Sequence, residues 1–211
     1  MKLFDQIRNV AATSRSIEYK GKIWAIVKES FFLGQHELTR DYMQHMGAVA
    51  VLALNKNDEV LTIHQYRHPV GVNMVEIPAG LLDFPEESPL DAAKRELSEE
   101  SGYVADSWAV LADFCTSPGS SSEAVRIFLA RDLSFRGFDA SQLDAEEAEL
   151  DPKWVPISDL INLIEAGQLS SPTAALAITA YKALDESRLR PANSPWPLRE
   201  HLVATNRVFE Q

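Results

Sequence analysis

A single cysteine, Cys115, stands among 211 residues, so the chain has no intrachain disulfide and no thiolate zinc site. That scarcity fits a reducing compartment, and the expected location is cytoplasmic. No run approaches the roughly 18 consecutive apolar residues of a membrane span. The opening stretch, MKLFDQIRNVAATSRSIEY, lacks the apolar core and small-residue cleavage site of a secretory signal. Basic residues are outnumbered, 20 Lys and Arg against 31 Asp and Glu, giving a formal net charge of -11. Such a balance argues against binding to a nucleic-acid backbone and favours metal-assisted capture of any phosphate-bearing substrate. His36, His45, His64, His68 and His201 are scattered, without the spacing of a zinc cluster. Internal repeats and low-complexity tracts are also missing. With 45% hydrophobic and 24% charged residues, the chain has the composition of a soluble globular protein, long enough for one substantial core or for one core with a small accessory domain.

The first third reads as strands. Residues 24–27 (WAIV) and 31–33 (FFL) are apolar runs divided by 28–30, and residues 38–43 alternate. Such a small sheet needs a covering surface, for which a second subunit is a candidate. Residues 47–54 form a strongly apolar strand, followed by the polar turn 55–58 and by 60–63, together a hairpin. Residues 65–71 then read as a rim loop. Further strands are expected over 108–114 and 124–130, joined by the loop 117–123. Residues 143–152 are too acidic for a core element. A short extended run at 154–157 leads to a helix capped by Ser158 and closed by Gly167, and Ser171-Pro172 opens a last helix through about residue 184. Mixed strands and helices imply an α/β, or by some criteria α+β, architecture with helices covering a central sheet.

The segment of residues 80–103, GLLDFPEESPLDAAKRELSEESGY, is the richest in the chain. A helix is expected over 87–101, with Ser88 as N-cap, Pro89 at the first helical position, Asp91 completing the capping-box spacing and Gly102 as the stop. Leu90, Ala93 and Leu97, with Ala92 as a further candidate, supply its apolar stripe. Glu96, Glu99 and Glu100 are three and four apart, so they project from neighbouring positions, with Glu96 and Glu100 towards the protein body and Glu99 at the edge. Like charges that close repel one another, and a divalent cation makes the arrangement favourable. Hard Mg²⁺ or Mn²⁺ takes carboxylate oxygens and bridges them to phosphates, so pyrophosphate hydrolysis fits better than redox chemistry. Arg95, four residues before Glu99, can steady these carboxylates. The alternative is a solvated acidic helix face.

The segment closely resembles the Nudix hydrolase signature, a glycine and a spaced glutamate followed by Arg-Glu-hydrophobic-x-Glu-Glu-x-Gly-hydrophobic. Arg95, Glu96, Leu97, Glu99, Glu100, Gly102 and Tyr103 fill the latter half without a gap. Gly80 and Glu87 match the opening pair, although six residues separate them where the usual pattern has five. The resemblance implies an α/β/α sandwich with a mixed sheet over residues 47–186, a small strand-rich dimerisation region over 1–46, and a tail, 187–211, that packs on the domain or is mobile. It implies that Glu96 and Glu100 are central metal ligands and that Glu99 is a further ligand or water-orienting group. By the same resemblance Glu87 is an accessory residue, Arg95 a brace, and the Ala79 carbonyl a metal ligand.

Gln65-Tyr66-Arg67, residues 76–83 and Ser117-Pro118-Gly119 further resemble the ADP-ribose pyrophosphatase branch, in which a proline fifteen residues after Tyr103 marks ADP-ribose substrates. The implied reaction is Mg²⁺- or Mn²⁺-dependent cleavage of ADP-ribose to AMP and ribose 5-phosphate by a homodimer. Arg67 then contacts the diphosphate or an acidic partner, or else forms a rim salt bridge. Glu76 contacts the nucleoside or terminal ribose, or else closes a strand. Pro118 shapes the pocket and Glu123 anchors its loop. Glu147 is the favoured general base, with Glu146 as its neighbour in the acidic pair and Glu149 as another alignment. The competing readings are hydrolysis of another nucleoside diphosphate sugar or NADH, and a nucleotide-sensing scaffold of the same fold without turnover.

Overall fold

The structure is a computed structural model that describes residues 3–84, 86–137, 150–205 and 207. The chain separates into two compact units. One comprises Met1–Gly47, Cys115–Ala124 and Pro195–Gln211, and the other Ala48–Phe114 and Val125–Ser194.

In the first unit, β1 (Ala12–Lys20), β2 (Trp24–Leu33) and β3 (His36–His45) form an antiparallel sheet in the order β1-β2-β3. The two apolar runs expected at 24–27 and 31–33 are one strand, because Lys28, Glu29 and Ser30 pair in register with Asp41, Arg40 and Thr39. Strand β1 was not anticipated. All nine of its residues are exposed, so it carries no burial-driven apolar pattern to read. The tail contributes α4 (Pro197–Ala204), preceded by the buried Trp196.

The second unit is built on a mixed sheet in the order β11-β8-β9-β4-β7, where β4 is Ala48–Ala53, β7 Ala79–Leu81, β8 Tyr103–Cys115, β9 Ala124–Phe135 and β11 Arg190–Pro191. Strand β4 pairs parallel with β9 and antiparallel with β7. It is buried on both faces. Ala50, Leu52 and Leu54 join Val125, Ile127 and Leu129 in a core with Leu160 of α2 (Ile157–Glu165) and Ala174, Ala177 and Ile178 of α3 (Pro172–Ala183). Side chains alternate along a strand, so Val49, Val51 and Ala53 face the other way. That opposite face is the one against which α1 (Pro89–Ser101) packs, through the buried Ala92, Ala93 and Leu97. The result is the expected α/β sandwich with a mixed sheet, and the first unit supplies the expected N-terminal β region.

A second sheet, β10-β5-β6, consists of Lys153–Pro156, Glu59–Arg67 and Val72–Glu76. The hairpin expected from 47–54 and 60–63 is therefore replaced. Only a single antiparallel bridge, Leu54 to Val60, joins β4 to β5 before they part into different sheets. Both edges of β4 are already occupied, whereas β5 takes β6 and β10. The turn between them is held by Asn55, whose Oδ1 accepts from the N–H groups of Asn57 and Glu59 at 2.8 and 3.1 Å. The expected rim loop is shorter than 65–71, since Gln65, Tyr66 and Arg67 complete β5 opposite Met74, Asn73 and Val72. Helix α2 starts at Ile157 with Pro156 in the cap position, so Ser158 lies inside its first turn and does not cap it. Ser171 does cap α3.

Candidate active site

Helix α1 begins and ends where the residue chemistry requires. The Ser88 hydroxyl accepts from Asp91 N–H at 3.1 Å and donates to the Asp91 carboxylate at 2.7 Å. Gly102 closes the helix at φ 70, in the left-handed region that a side chain disfavours. Capping fixes the rotation of the helix about its axis, and with it which side chains meet the sheet. Leu97 is fully buried at the core, while Glu96 and Glu100, one turn apart, are 7% and 6% exposed. Glu99 is less buried than either.

Both buried carboxylates meet β7. Glu100 Oε2 accepts the backbone N–H of Ala79 at 2.8 Å. The carboxyl group of Glu96 lies over Gly80 so closely that a Cβ built there would fall 1.9 Å from its Cδ. A glycine at position 80 is therefore the space that Glu96 occupies.

Arg95 gathers the rest of the acidic set. Its Nε and Nη2 donate to the two oxygens of Glu87, each at 3.0 Å, and its Nη1 donates to Glu96 Oε1 at 2.6 Å and Glu99 Oε2 at 2.9 Å. Asp83 Oδ1 lies 3.9 Å from Nη2. Burial alone would disfavour the guanidinium charge, but the bonds to Glu87, the charge of Glu96 and the bonds to Glu99 and Glu96 outweigh it and push the pKa of Arg95 above its ordinary value. The ring of Phe84 lies 5.0 Å from the Arg95 guanidinium carbon.

Among the described residues, no three acidic, histidine or cysteine side chains form a ready-made cation cage. The carboxylates instead converge on Arg95. Their chemistry nonetheless fits a hard divalent cation. The donors are all oxygens, and three carboxylates share one guanidinium beside the buried Glu100.

The other residues singled out in the sequence occupy three further places. Arg67 and Glu76 form a two-pronged salt bridge, both contacts 2.8 Å, across the β5–β6 pair. In the first unit, Pro118 is on the wall of a cavity of about 330 Å³ with Phe31, Arg40, Tyr42 and Cys115. Burial and the neighbouring Glu29 push the Tyr42 phenol up to about 12. Glu123 holds the loop of Pro118 at both ends. Its Oε2 accepts from Thr116 Oγ1 at 2.6 Å, its Oε1 lies 3.6 Å from His45 Nε2, and its N–H donates to Ser121 Oγ. Tyr103 packs edge-on against Trp154 and accepts its indole N–H at 3.0 Å. Glu146 and Glu147, and Glu149 with them, lie outside the described residues. Phe84 was not foreseen as part of the site, although the extra residue between Gly80 and Glu87 marked its loop as unusual.

Known proteins resemble this chain in sequence and in fold. The NUDIX domain family matches residues 43–175. An ADP-ribose pyrophosphatase from Mycobacterium tuberculosis (strain ATCC 25618 / H37Rv) is 34% identical over 193 residues, covering 90% of this chain and 92% of the relative. One from Bacillus subtilis (strain 168) is 35% identical over 170 residues, covering 80% and 90%. The solved structure of an ADP compounds hydrolase superimposes with a TM-score of 0.68 at 19% identity, over 97% of this chain and all of the other, a likeness of fold. With the family matched over residues 43–175 and the signature carboxylates Glu96, Glu99 and Glu100 carried on α1, this chain belongs to the NUDIX domain family.

Proposed function

We propose that this chain is a Nudix pyrophosphatase that hydrolyses the diphosphate bond of ADP-ribose, with Mg²⁺ or Mn²⁺, to AMP and ribose 5-phosphate. The observation that carries the reading is the placement of Glu96 and Glu100, buried side by side against Ala79 and Gly80 of β7. The choice of ADP-ribose within nucleoside diphosphate substrates is supported by the two relatives of that activity that align over most of the chain.

In this reading Glu96, Glu100 and the Ala79 carbonyl would hold the cation, with Glu99 as a further ligand or an orienting group for water. When bound, the cation supplies charge neutralisation on the diphosphate and acidifies the attacking water. Arg95 keeps the carboxylates aligned. The Glu147 carboxylate, or that of its neighbour Glu146, accepts the proton that the water loses. The water oxygen bonds to phosphorus as the bridging P–O bond breaks, and the two phosphate monoesters leave. Arg67, Glu76, Pro118 and Glu123 are assigned to the substrate side. The same reading takes the chain as a homodimer, with the exposed Ile17, Tyr19, Trp24, Phe32 and Leu33 as apolar surface for a second copy.

The test is a product-resolved substrate panel with ADP-ribose, NADH and ADP-glucose in Mg²⁺ and Mn²⁺, run beside Glu96→Gln and Glu100→Gln. Preferential release of AMP and ribose 5-phosphate, lost in both variants, is expected. A clear preference for another pyrophosphate would remove ADP-ribose as the substrate. Turnover that survives in both variants would remove the site.

A further inference from the structure

We infer that Phe84 and Glu87 form a clamp that positions Arg95, whose guanidinium carbon lies over the Phe84 ring while its Nε and Nη2 hold the Glu87 carboxylate. The inference rests on the reading of Glu96 and Glu99 as groups that serve a divalent cation.

Three features of the turn support it. Glu87 N–H donates to the carbonyl of Phe84 at 3.1 Å, so the two residues that grip Arg95 are closed into one turn. Leu82, 8% exposed, seats the start of the loop, and Ser88 fixes its end as the cap of α1. Between these anchors Phe84 is 55% exposed, yet its ring stays 5.0 Å from the guanidinium carbon. The guanidinium over its face gives this half-exposed ring a charged partner.

Four of the five N–H groups of Arg95 donate to carboxylates: Nε and one of Nη2 to Glu87, and both of Nη1 to Glu96 and Glu99. The Phe84 ring adds a contact that uses none of these four donors. A ring there blocks the swing of Arg95 towards solvent, which would carry Nη1 away from both carboxylates. Because Nη1 takes one oxygen from each, a carboxylate can serve Arg95 with one oxygen and a cation with the other. The clamp therefore sets the carboxylates in advance of cation binding. Phe84 is a positioning residue and touches neither substrate nor water in this scheme.

The experiment uses the full-length protein with Phe84→Leu, Phe84→Ala and Phe84→Tyr. Two quantities are read without turnover: exchange of the Arg95 Nε–H by ¹⁵N NMR in cation-free protein, assigned with Arg95→Lys, and the Mn²⁺ dissociation constant by electron paramagnetic resonance. Leucine keeps the apolar bulk and removes the ring face, whereas tyrosine keeps the face. The expected result is faster Nε–H exchange and about two- to fivefold weaker Mn²⁺ binding in the leucine and alanine variants, the scale of an exposed cation–ring contact, with both restored by tyrosine. Leucine matching the wild type in both measurements would overturn the clamp. If the wild-type chain itself fails to bind Mn²⁺, the cation reading falls first and the proposal with it, which separates the two failures. A role in packing alone would lower thermal stability in the leucine and alanine variants and leave both readouts unchanged, and that outcome also overturns it.

Discussion

Replacing Gly80 with alanine tests the close approach of α1 to β7, because the perturbation is one methyl group aimed at one carboxylate. The new Cβ would lie 1.9 Å from Glu96 Cδ and Oε1 and 2.5 Å from Oε2. Ordinary contact begins near 3.4 Å, so the carboxyl group has to retreat by about 1.5 Å. The obstructing atoms are the end of a flexible side chain, which can move without shifting the backbone. Retreat breaks the 2.6 Å bond from Arg95, a charge-assisted contact worth about 1.5–3 kcal/mol, offset by the roughly 0.4–1 kcal/mol that alanine contributes by restricting the unfolded chain. The fold should therefore lose only about 1–2 kcal/mol, a fall in Tm of about 2–8 °C. Catalysis should suffer more, since misplacing a reacting group by about 1 Å can reduce the rate on the order of 10²-fold, equivalent to about 2.7 kcal/mol in the barrier. Steady-state hydrolysis with a thermal melt separates the two effects. A variant that keeps kcat within about threefold of the wild type would refute the claim that Glu96 works from the space above Gly80.

Glu100→Gln keeps an acceptor for the Ala79 N–H, so it should melt within about 1.5 kcal/mol of the wild type while turnover falls on the order of 10²–10³-fold; a parallel loss of both would show a structural role only. Ser88→Ala removes the α1 cap and should destabilise by about 1 kcal/mol in a urea titration; an unchanged urea midpoint would refute the capping role. His45 is held neutral: burial lowers its pKa below 6.5 against the pull of Glu123, and its Nδ1 accepts the N–H of Gly47. The unfolded chain then binds the proton more readily than the folded one. Stability contributed at this site is complete above pH 6.5 and is lost as the pH falls below it towards the folded-state value. Urea midpoints measured from pH 7.5 to 5.5 should fall more steeply in the wild type than in His45→Gln, and identical slopes would refute the assignment.

How much of the site can be read from the sequence follows from the distance over which each feature is determined. Helix α1 is a local object. Its cap, its proline, its glycine stop and its carboxylate spacing all lie within residues 88–102, and they dictate that Glu96 and Glu100 face inwards and Glu99 outwards before any tertiary contact forms. Recognition of the family extends this from a helix to a site, because it relates Gly80 and Glu87 to the helix that follows. Even so, the meaning of Gly80 lies in a non-local distance. The residue could be read as a turn glycine, and only the approach of Glu96 shows that its missing Cβ is what the site requires.

Strand pairing is the opposite case. The apolar run at the start of the second unit was legible as a strand, but its lack of alternation also carries information: a strand buried on both faces lies inside a sheet with helices above and below. A partner on each edge then follows, and β7 and β9 supply them from 26 and more residues away in sequence. The nearby β5 cannot compete for an edge already filled, so the hairpin that adjacency suggests is reduced to one bridge. The same reasoning explains the displaced loop boundary. Arg67 looked like a rim residue because it is charged and followed closely by a proline, yet a strand can carry an arginine at its end when the facing strand offers a carboxylate, and Glu76 does so. Charge in a sequence is therefore ambiguous between solvent and partner until the pairing register is known. The helical carboxylates escape that ambiguity because their neighbours are set by the 3.6-residue period of α1 itself.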